Sequence, residues 1–287
     1  MTTPVSFDRH TYLHVGNPPF GRFLPLYLAT PTLIGEVEIG SQDMKIGIIG
    51  AGNIGGTLAR KLVASGHSVK IANSKGPETI AELARDIGAT AVVTDDVVKD
   101  VEVLILSVPF ATYPKLSDLV TSVPQDVSVI DTSNYYPFRD GAIPEVDAGK
   151  PESVWVTEQI GRPVTKAWNA GLAATLADKG RPAGEPGRIA LPVAGDEASG
   201  KAVAMTLVEE TGFDAFDAGG LASSWRQQPG TPAYCTDLTR AELSVALQAA
   251  DQSRAPENRD KLIKQFSETG KMPSHDEAIA LNRAVTA

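Results

Sequence analysis

From Lys45 onward the chain alternates between short apolar β-type runs and stretches whose apolar residues recur three and four positions apart. That pattern predicts a parallel sheet with crossover helices. Lys45 to Ile49 reads as the first strand, and Ile54, Leu58 and Leu62 then mark one face of a helix that Gly66 stops. Val69 to Ala72 is the expected second strand. Pro77 suits a first helical position, and Ile80, Leu83, Ala84 and Ile87 follow at i, i+3, i+4 and i+7 before Gly88. Ala91 to Val93, Val101 to Val108 and Val127 to Ile130 read as strands three to five, the fourth apolar enough for a strand buried on both faces. A loop rich in Pro and Gly is expected from Pro137 to Pro151. Further strands are expected at Val164 to Trp168, Ile189 to Val193 and Phe213 to Phe216, with a helix carrying Ala204, Leu207 and Val208 between the last two. Beyond Gly219 the pattern is helical, over Leu238 to Ala250, Arg259 to Phe266 and His275 to Val285.

Residues 1–43 show neither period and carry Pro4, Pro18, Pro19, Pro25 and Pro31, so they are expected to form an extended arm. Met44 stands directly before the first strand, which makes a translation start there one hypothesis and an arm packed on a partner subunit its rival. The 287 residues are 42% hydrophobic and 21% charged, values of an ordinary globular protein, which excludes disorder over most of the length. Cys235 is the single cysteine, so a disulfide scaffold is excluded. A net charge of −9 disfavours nucleic acid and anionic membranes as partners. The apolar stretch Phe23 to Ile34 is too short to span a bilayer and is cut by two prolines. With no recognisable leader, a reducing cytoplasm is the expected location.

The chemistry begins at the end of the first strand. Gly50-Ala51-Gly52-Asn53-Ile54-Gly55 fits G-x-G-x-x-G between a predicted strand and a predicted helix. In that position the glycines allow a tight turn, close approach of a pyrophosphate and close helix packing, while the helix N-terminus attracts phosphate. The expected fold is therefore α/β, a Rossmann-type doubly wound parallel sheet over residues 44–160 that binds a dinucleotide, with a smaller C-terminal α/β domain at 161–287. Cofactor choice is written at the end of strand two, where Asn73-Ser74-Lys75 offers a hydroxyl and an ammonium group and no carboxylate. NADP is favoured over NAD. Ser107-Val108-Pro109-Phe110 and Asp131-Thr132-Ser133-Asn134 end two further strands on the same crevice. Ser107 and Val108 would line the nicotinamide riboside and Asn134 would bond sugar or carboxamide. Asp131 reads equally well as a loop-capping carboxylate.

These residues resemble the NADPH-dependent coenzyme F420 reductases, also called F420H2:NADP oxidoreductases. The similarity continues through Lys166-Ala-Trp-Asn169, Ala190-Leu-Pro-Val-Ala-Gly-Asp196 and Gly212-Phe-Asp-Ala-Phe-Asp-Ala-Gly219, and so covers most of residues 44–235. Relatives that pass hydride from NADPH to a flavin, including ferric-reductase domains, share these motifs. The resemblance implies NADP contacts at Gly50, Ala51, Gly52, Asn53 and Ile54 for the pyrophosphate and at Ser74 and Lys75 for the 2′-phosphate. It also implies a nicotinamide wall at Trp168, Asn169, Ala170 and Gly171, coenzyme F420 as hydride acceptor, and a homodimer in which the C-terminal domain takes part. Lys75 departs from the arginine common in the family, replacing a planar fork by a point charge. The tail after Asp237 matches less well.

Hydride transfer between stacked rings needs little acid–base machinery. His10, His14, His67 and His275 sit in no metal-ligand spacing, and Cys235 reads as a structural thiol. No metal is expected. An enzymatic rival is a β-hydroxyacid dehydrogenase-like reductase in which Lys166 acts as acid–base group and Asn169 orients substrate. On a strand those two residues point to opposite faces, and Lys166 also reads as a solvated strand end. Trp168 reads as either ring-stacking wall or core, Trp225 as core. A non-enzymatic NADP-binding redox sensor is the remaining alternative.

Overall fold

The computed structural model describes residues 43–268 and 273–287. The expected arm therefore lies outside the described residues, Asp43 apart. The first half runs β1 (Lys45–Ile49), α1 (Asn53–Ala64), β2 (Ser68–Ala72), α2 (Ala81–Ile87), β3 (Thr90–Ala91), α3 (Thr94–Val97), β4 (Val103–Leu106), α4 (Ser117–Thr121) and β5 (Ser128–Asp131). The chain continues through α5 (Pro137–Asp140), α6 (Pro144–Asp147), α7 (Glu152–Ile160), β6 (Thr165–Lys166), α8 (Ala173–Asp178), β7 (Ala190–Gly195), α9 (Ala198–Glu210) and β8 (Asp214–Asp217). Three helices close it, α10 (Arg240–Ala249), α11 (Ala255–Glu268) and α12 (His275–Thr286).

The eight strands form one sheet in the order β3-β2-β1-β4-β5-β6-β7-β8. Pairing is parallel from β3 to β6 and between β7 and β8, and antiparallel only between β6 and β7. The order reverses between β1 and β4, the switch point of a doubly wound sheet, where the carboxyl ends of strands leave a crevice. The expected boundary near residue 160 falls between α7 and β6, within this sheet.

Strand alternation divides the core. Ile46, Ile48 and Ile105 face a layer with Leu58, Leu62, Leu207 and Phe213. Ile49, Leu104 and Leu106 face the opposite layer with Phe110, Tyr113, Trp155 and Val156. The burial of both faces explains the continuous apolar character of β4.

Two expectations need correction, and one helix was not expected. The stretch Pro137 to Pro151 is not only loop: Pro137 and Pro144 open two one-turn helices, using the fixed φ that suits a first turn. The last predicted strand before Ile189 is two residues long rather than five, because Trp168 has a left-handed φ of 59° that turns the chain out of the sheet. Helix α7 was not legible, because Glu152 and Ser153 are buried beside Trp155 and Val156 and blur its apolar stripe.

Candidate functional site

The turn after β1 is built for an anion. Gly50 has φ +110°, and a Cβ there would lie 2.0 Å from the carbonyl oxygen of Ser107, so only glycine fits. A Cβ on Gly52 would meet nothing within 4 Å. Open space therefore stands in front of α1, whose N-terminus has no side-chain cap and no acidic residue in its first turn. Its first backbone N–H groups remain available to a phosphate. A pyrophosphate fits both the cradle and the chemistry.

From this turn a cleft of ≈ 330 Å³ runs along the strand ends. It is lined by Gly52, Asn53 and Ile54 of the turn, by Ser107, Val108 and Pro109 after β4, and by Thr132, Ser133 and Asn134 after β5. Trp168, Asn169, Gly171, Leu172 and Ala173 after β6 continue the lining, and Tyr136, Arg139, Tyr234 and Cys235 complete it. Most residues singled out in the sequence thus meet in one place. Gly50 and Ala51 are not part of the lining, and Ala170 is buried with its carbonyl accepting the Cys235 N–H at 2.8 Å.

Asn73, Ser74 and Lys75 lie outside the cleft lining, beyond the end of β2, whose Ala72 carbonyl accepts the Gly50 N–H at 2.8 Å. The Asn73 side chain is engaged in its own turn, accepting from the Lys75 N–H at 3.0 Å and donating to Thr79 Oγ1 at 2.9 Å. Ser74 and Lys75 are exposed there, next to the glycine turn.

The floor of the cleft is held by a buried polar network. Asp131 accepts from Tyr113 OH at 2.6 Å, from the N–H and hydroxyl of Ser133 at 2.8 and 2.6 Å, and from Ser153 Oγ at 2.7 Å. It caps the loop that carries Asn134. Lys166 is not a solvated strand end: it is fully buried under α7, donating to the Ser133 carbonyl at 3.1 Å and to Glu152 at 3.2 Å. Burial pushes the Glu152 carboxyl above the usual range, opposed by Lys166. Lys166 does not line the cleft, so the structure does not bring it together with Asn169 as an acid–base pair.

Asn169 does line it, with both amide hydrogens engaged: Nδ2 donates to Asn134 Oδ1 at 3.0 Å and to the Gln227 carbonyl at 2.8 Å. Gln227 Nε2 returns a bond to Asn169 Oδ1 at 2.9 Å, and Asn134 Nδ2 donates to the Asn169 carbonyl at 3.0 Å. Trp168 is buried in the core, bonded through Nε1 to Thr211 Oγ1 at 3.1 Å, and also borders the cleft. Trp225 is part-buried away from the cleft, with the Arg226 guanidinium 4.4 Å from its ring centroid.

Sequence reasoning missed Tyr136, Arg139, Gln227 and Tyr234. Tyr136 stands two residues after Asn134 and could have been flagged for that position. Tyr234 comes from an irregular stretch and Gln227 ends a short 3₁₀ helix, Leu221–Gln227, neither with a period to read. Tyr136 OH and Tyr234 OH are 2.6 Å apart, and burial pushes both phenols above the ordinary tyrosine range. Burial likewise pushes the Cys235 thiol up to about 12, so it stays neutral near pH 7. His67 bonds the Met44 N–H and Glu210, and His275 bonds Asp237 and Thr175. No cluster that could hold a metal exists among the described residues, and no described helix is long and apolar enough to cross a membrane.

Comparison with known proteins agrees with this geometry. Residues 45–135 match the family described as NADP oxidoreductase, coenzyme F420-dependent. YjhV of Escherichia coli K12 is 40% identical over 111 residues, covering 38% of this chain and 81% of that protein. The crystal structure of SMa0349 from Sinorhizobium meliloti aligns with a TM-score of 0.58 at 31% identity, over 69% of this chain and 95% of the other. A candidate F420-dependent NADP-reductase from Arthrobacter sp. FB24 shares the fold at a TM-score of 0.53 and 21% identity, over 79% of this chain and 96% of the other. With the dinucleotide turn, the cleft and these likenesses in place, the chain belongs to the coenzyme F420-dependent NADP oxidoreductase family and is an NADP-dependent oxidoreductase.

Proposed function

We propose that the cleft seats the nicotinamide of NADP(H) against a planar conjugated ring and that hydride passes between the two, with coenzyme F420 as the acceptor. The observation that carries this reading is continuity: one cleft runs from the uncapped N-terminus of α1 to the wall of Tyr136 and Tyr234. One end suits phosphate and the other suits a ring. When bound, NADPH supplies the hydride. The chain's own residues bind and orient.

In this reading the N–H groups of Asn53 and Ile54 face the pyrophosphate, and the Ser74 hydroxyl and Lys75 ammonium meet the 2′-phosphate. Asn134 gives one amide hydrogen to Asn169 and keeps the other for the carboxamide. Asn169 is a positioning residue, because Asn134 and Gln227 take both of its amide hydrogens. Trp168 and Gly171 exclude water from the ring faces, which have to be held about 3–3.5 Å apart. The burial of Lys166 away from the cleft favours ring-to-ring transfer over an acid–base dehydrogenase, and the family description supports F420 among ring acceptors.

The test is a spectroscopic turnover assay with NADPH and, in turn, F420, FMN, FAD and a small carbonyl panel. Bleaching of the deazaflavin is expected. Turnover confined to FMN or FAD would move the assignment to a flavin reductase, and turnover confined to carbonyls would overturn the ring acceptor.

A further inference from the structure

We infer that Tyr136 is the hydrogen-bond donor to the acceptor's heteroatom, with Tyr234 behind it as a relay, so that the acceptor is a conjugated C=N or C=O compound. The inference rests on the reading that hydride leaves NADPH in this cleft.

It follows from counting hydroxyl hydrogens. The two phenolic oxygens are 2.6 Å apart, and a single hydrogen occupies that contact. Neither hydroxyl has another hydrogen-bond partner among the described residues. Either phenol can donate in that contact, and the arrangement inferred here has the Tyr234 O–H donating to Tyr136. The Tyr234 hydrogen is then used in the contact, and the Tyr136 O–H is left over. Tyr136 is half-buried, lines the cleft, and has no other hydroxyl partner among the described residues.

The neighbouring turn fixes its ring. Asp140 accepts the Tyr136 N–H at 2.9 Å and pairs with Arg139 at 2.8 Å, while the Arg139 guanidinium lies 5.2 Å from the Tyr136 ring centroid. A cation against a phenol strengthens its O–H as a donor. The raised titration of both phenols keeps them protonated, as donors require.

The chemistry balances with one proton. Hydride from NADPH forms a new C–H bond on the acceptor carbon, and the π pair of its C=N or C=O bond moves to the heteroatom. That atom takes the Tyr136 proton, the shared proton shifts across from Tyr234, and water restores the pair. NADPH, acceptor and one proton give NADP⁺ and the reduced acceptor.

The test uses Tyr136→Phe and Tyr234→Phe, which keep the rings. NADPH affinity, steady-state rates in H₂O and D₂O, and binding of oxidised acceptor to NADP⁺-saturated protein are measured with F420, FMN, a cyclic imine and a ketone. Tyr136→Phe is expected to lower kcat roughly 10²-fold, erase the solvent isotope effect and weaken acceptor binding about tenfold, with NADPH affinity unchanged. Tyr234→Phe is expected to cost less, about tenfold in kcat. A Tyr136→Phe protein within about twofold of wild type in kcat/KM overturns the inference, as does a loss explained by weaker NADPH binding. Full turnover of F420 by Tyr136→Phe would sink this inference and keep the ring acceptor. Turnover of imine or ketone alone, lost in Tyr136→Phe, would do the reverse. A wild-type protein that reduces none of the four overturns both.

Discussion

In the proposed reading Lys75 offers the 2′-phosphate one charge at an exposed turn, so its contribution can be isolated. A hydrogen bond to a charged group contributes about 1.5–3 kcal/mol, and Lys75→Ala is expected to raise KM for NADPH about 10- to 100-fold. NADH kinetics and kcat should be unaffected. Lys75→Arg, with its planar fork, should match or exceed wild type, and a variant that weakened both cofactors equally would remove Lys75 from the phosphate site. Lys166 presents the opposite case. Removing one partner of a buried ion pair costs about 3–5 kcal/mol, so Lys166→Ala should lose stability of that order in guanidinium unfolding, with Glu152 left uncompensated. The K-x-x-N spacing was legible, but whether the lysine met solvent or a buried carboxylate was not. That depended on where α7 packs.

The glycine turn separates what the fold needs from what the cofactor needs. Gly50→Ala would place a Cβ 2.0 Å from the Ser107 carbonyl at a positive φ, and should cost at least about 2 kcal/mol, or roughly 4–8 °C in Tm. Gly52→Ala meets open space, so Tm should fall by no more than about 4 °C, the effect of a poorer N-cap residue. Its methyl group projects where a pyrophosphate would approach, and NADPH affinity should drop at least about tenfold. Calorimetry and NADPH titration of both variants check this, and normal NADPH affinity in Gly52→Ala would displace the phosphate from the turn. This element was legible because strand, turn and helix each carried a local signal. Tyr234 and Gln227 carried none, since an irregular stretch and a short 3₁₀ helix acquire their positions only when β7, β8 and α10 are packed.

At the scale of the whole molecule, the cleft and the buried network beneath it gather groups that resist ionisation, and the folded state should show this under alkali. Cys235 is raised from its ordinary 9.0 to about 12, and Tyr113, Tyr136 and Tyr234 are each raised above their ordinary 10.0, all chiefly by burial. A raised folded pKa means the folded state holds its proton where the unfolded chain has released it. The contribution of each group is therefore intact below the unfolded value and is lost as pH climbs toward the folded one. Unfolding free energy should be level to about pH 9, then fall with a limiting slope of about 1.4 kcal/mol per pH unit for each group in its window. Cys235→Ala should remove the part of the decline that begins near pH 9, and Tyr136→Phe with Tyr234→Phe should soften the part above pH 10. Guanidinium unfolding in steps from pH 7 to 11 measures all three curves. A wild-type curve still level at pH 11 would mean that these groups ionise alike in the folded and the unfolded chain, and a Cys235→Ala curve with an identical onset would mean the same for the thiol alone.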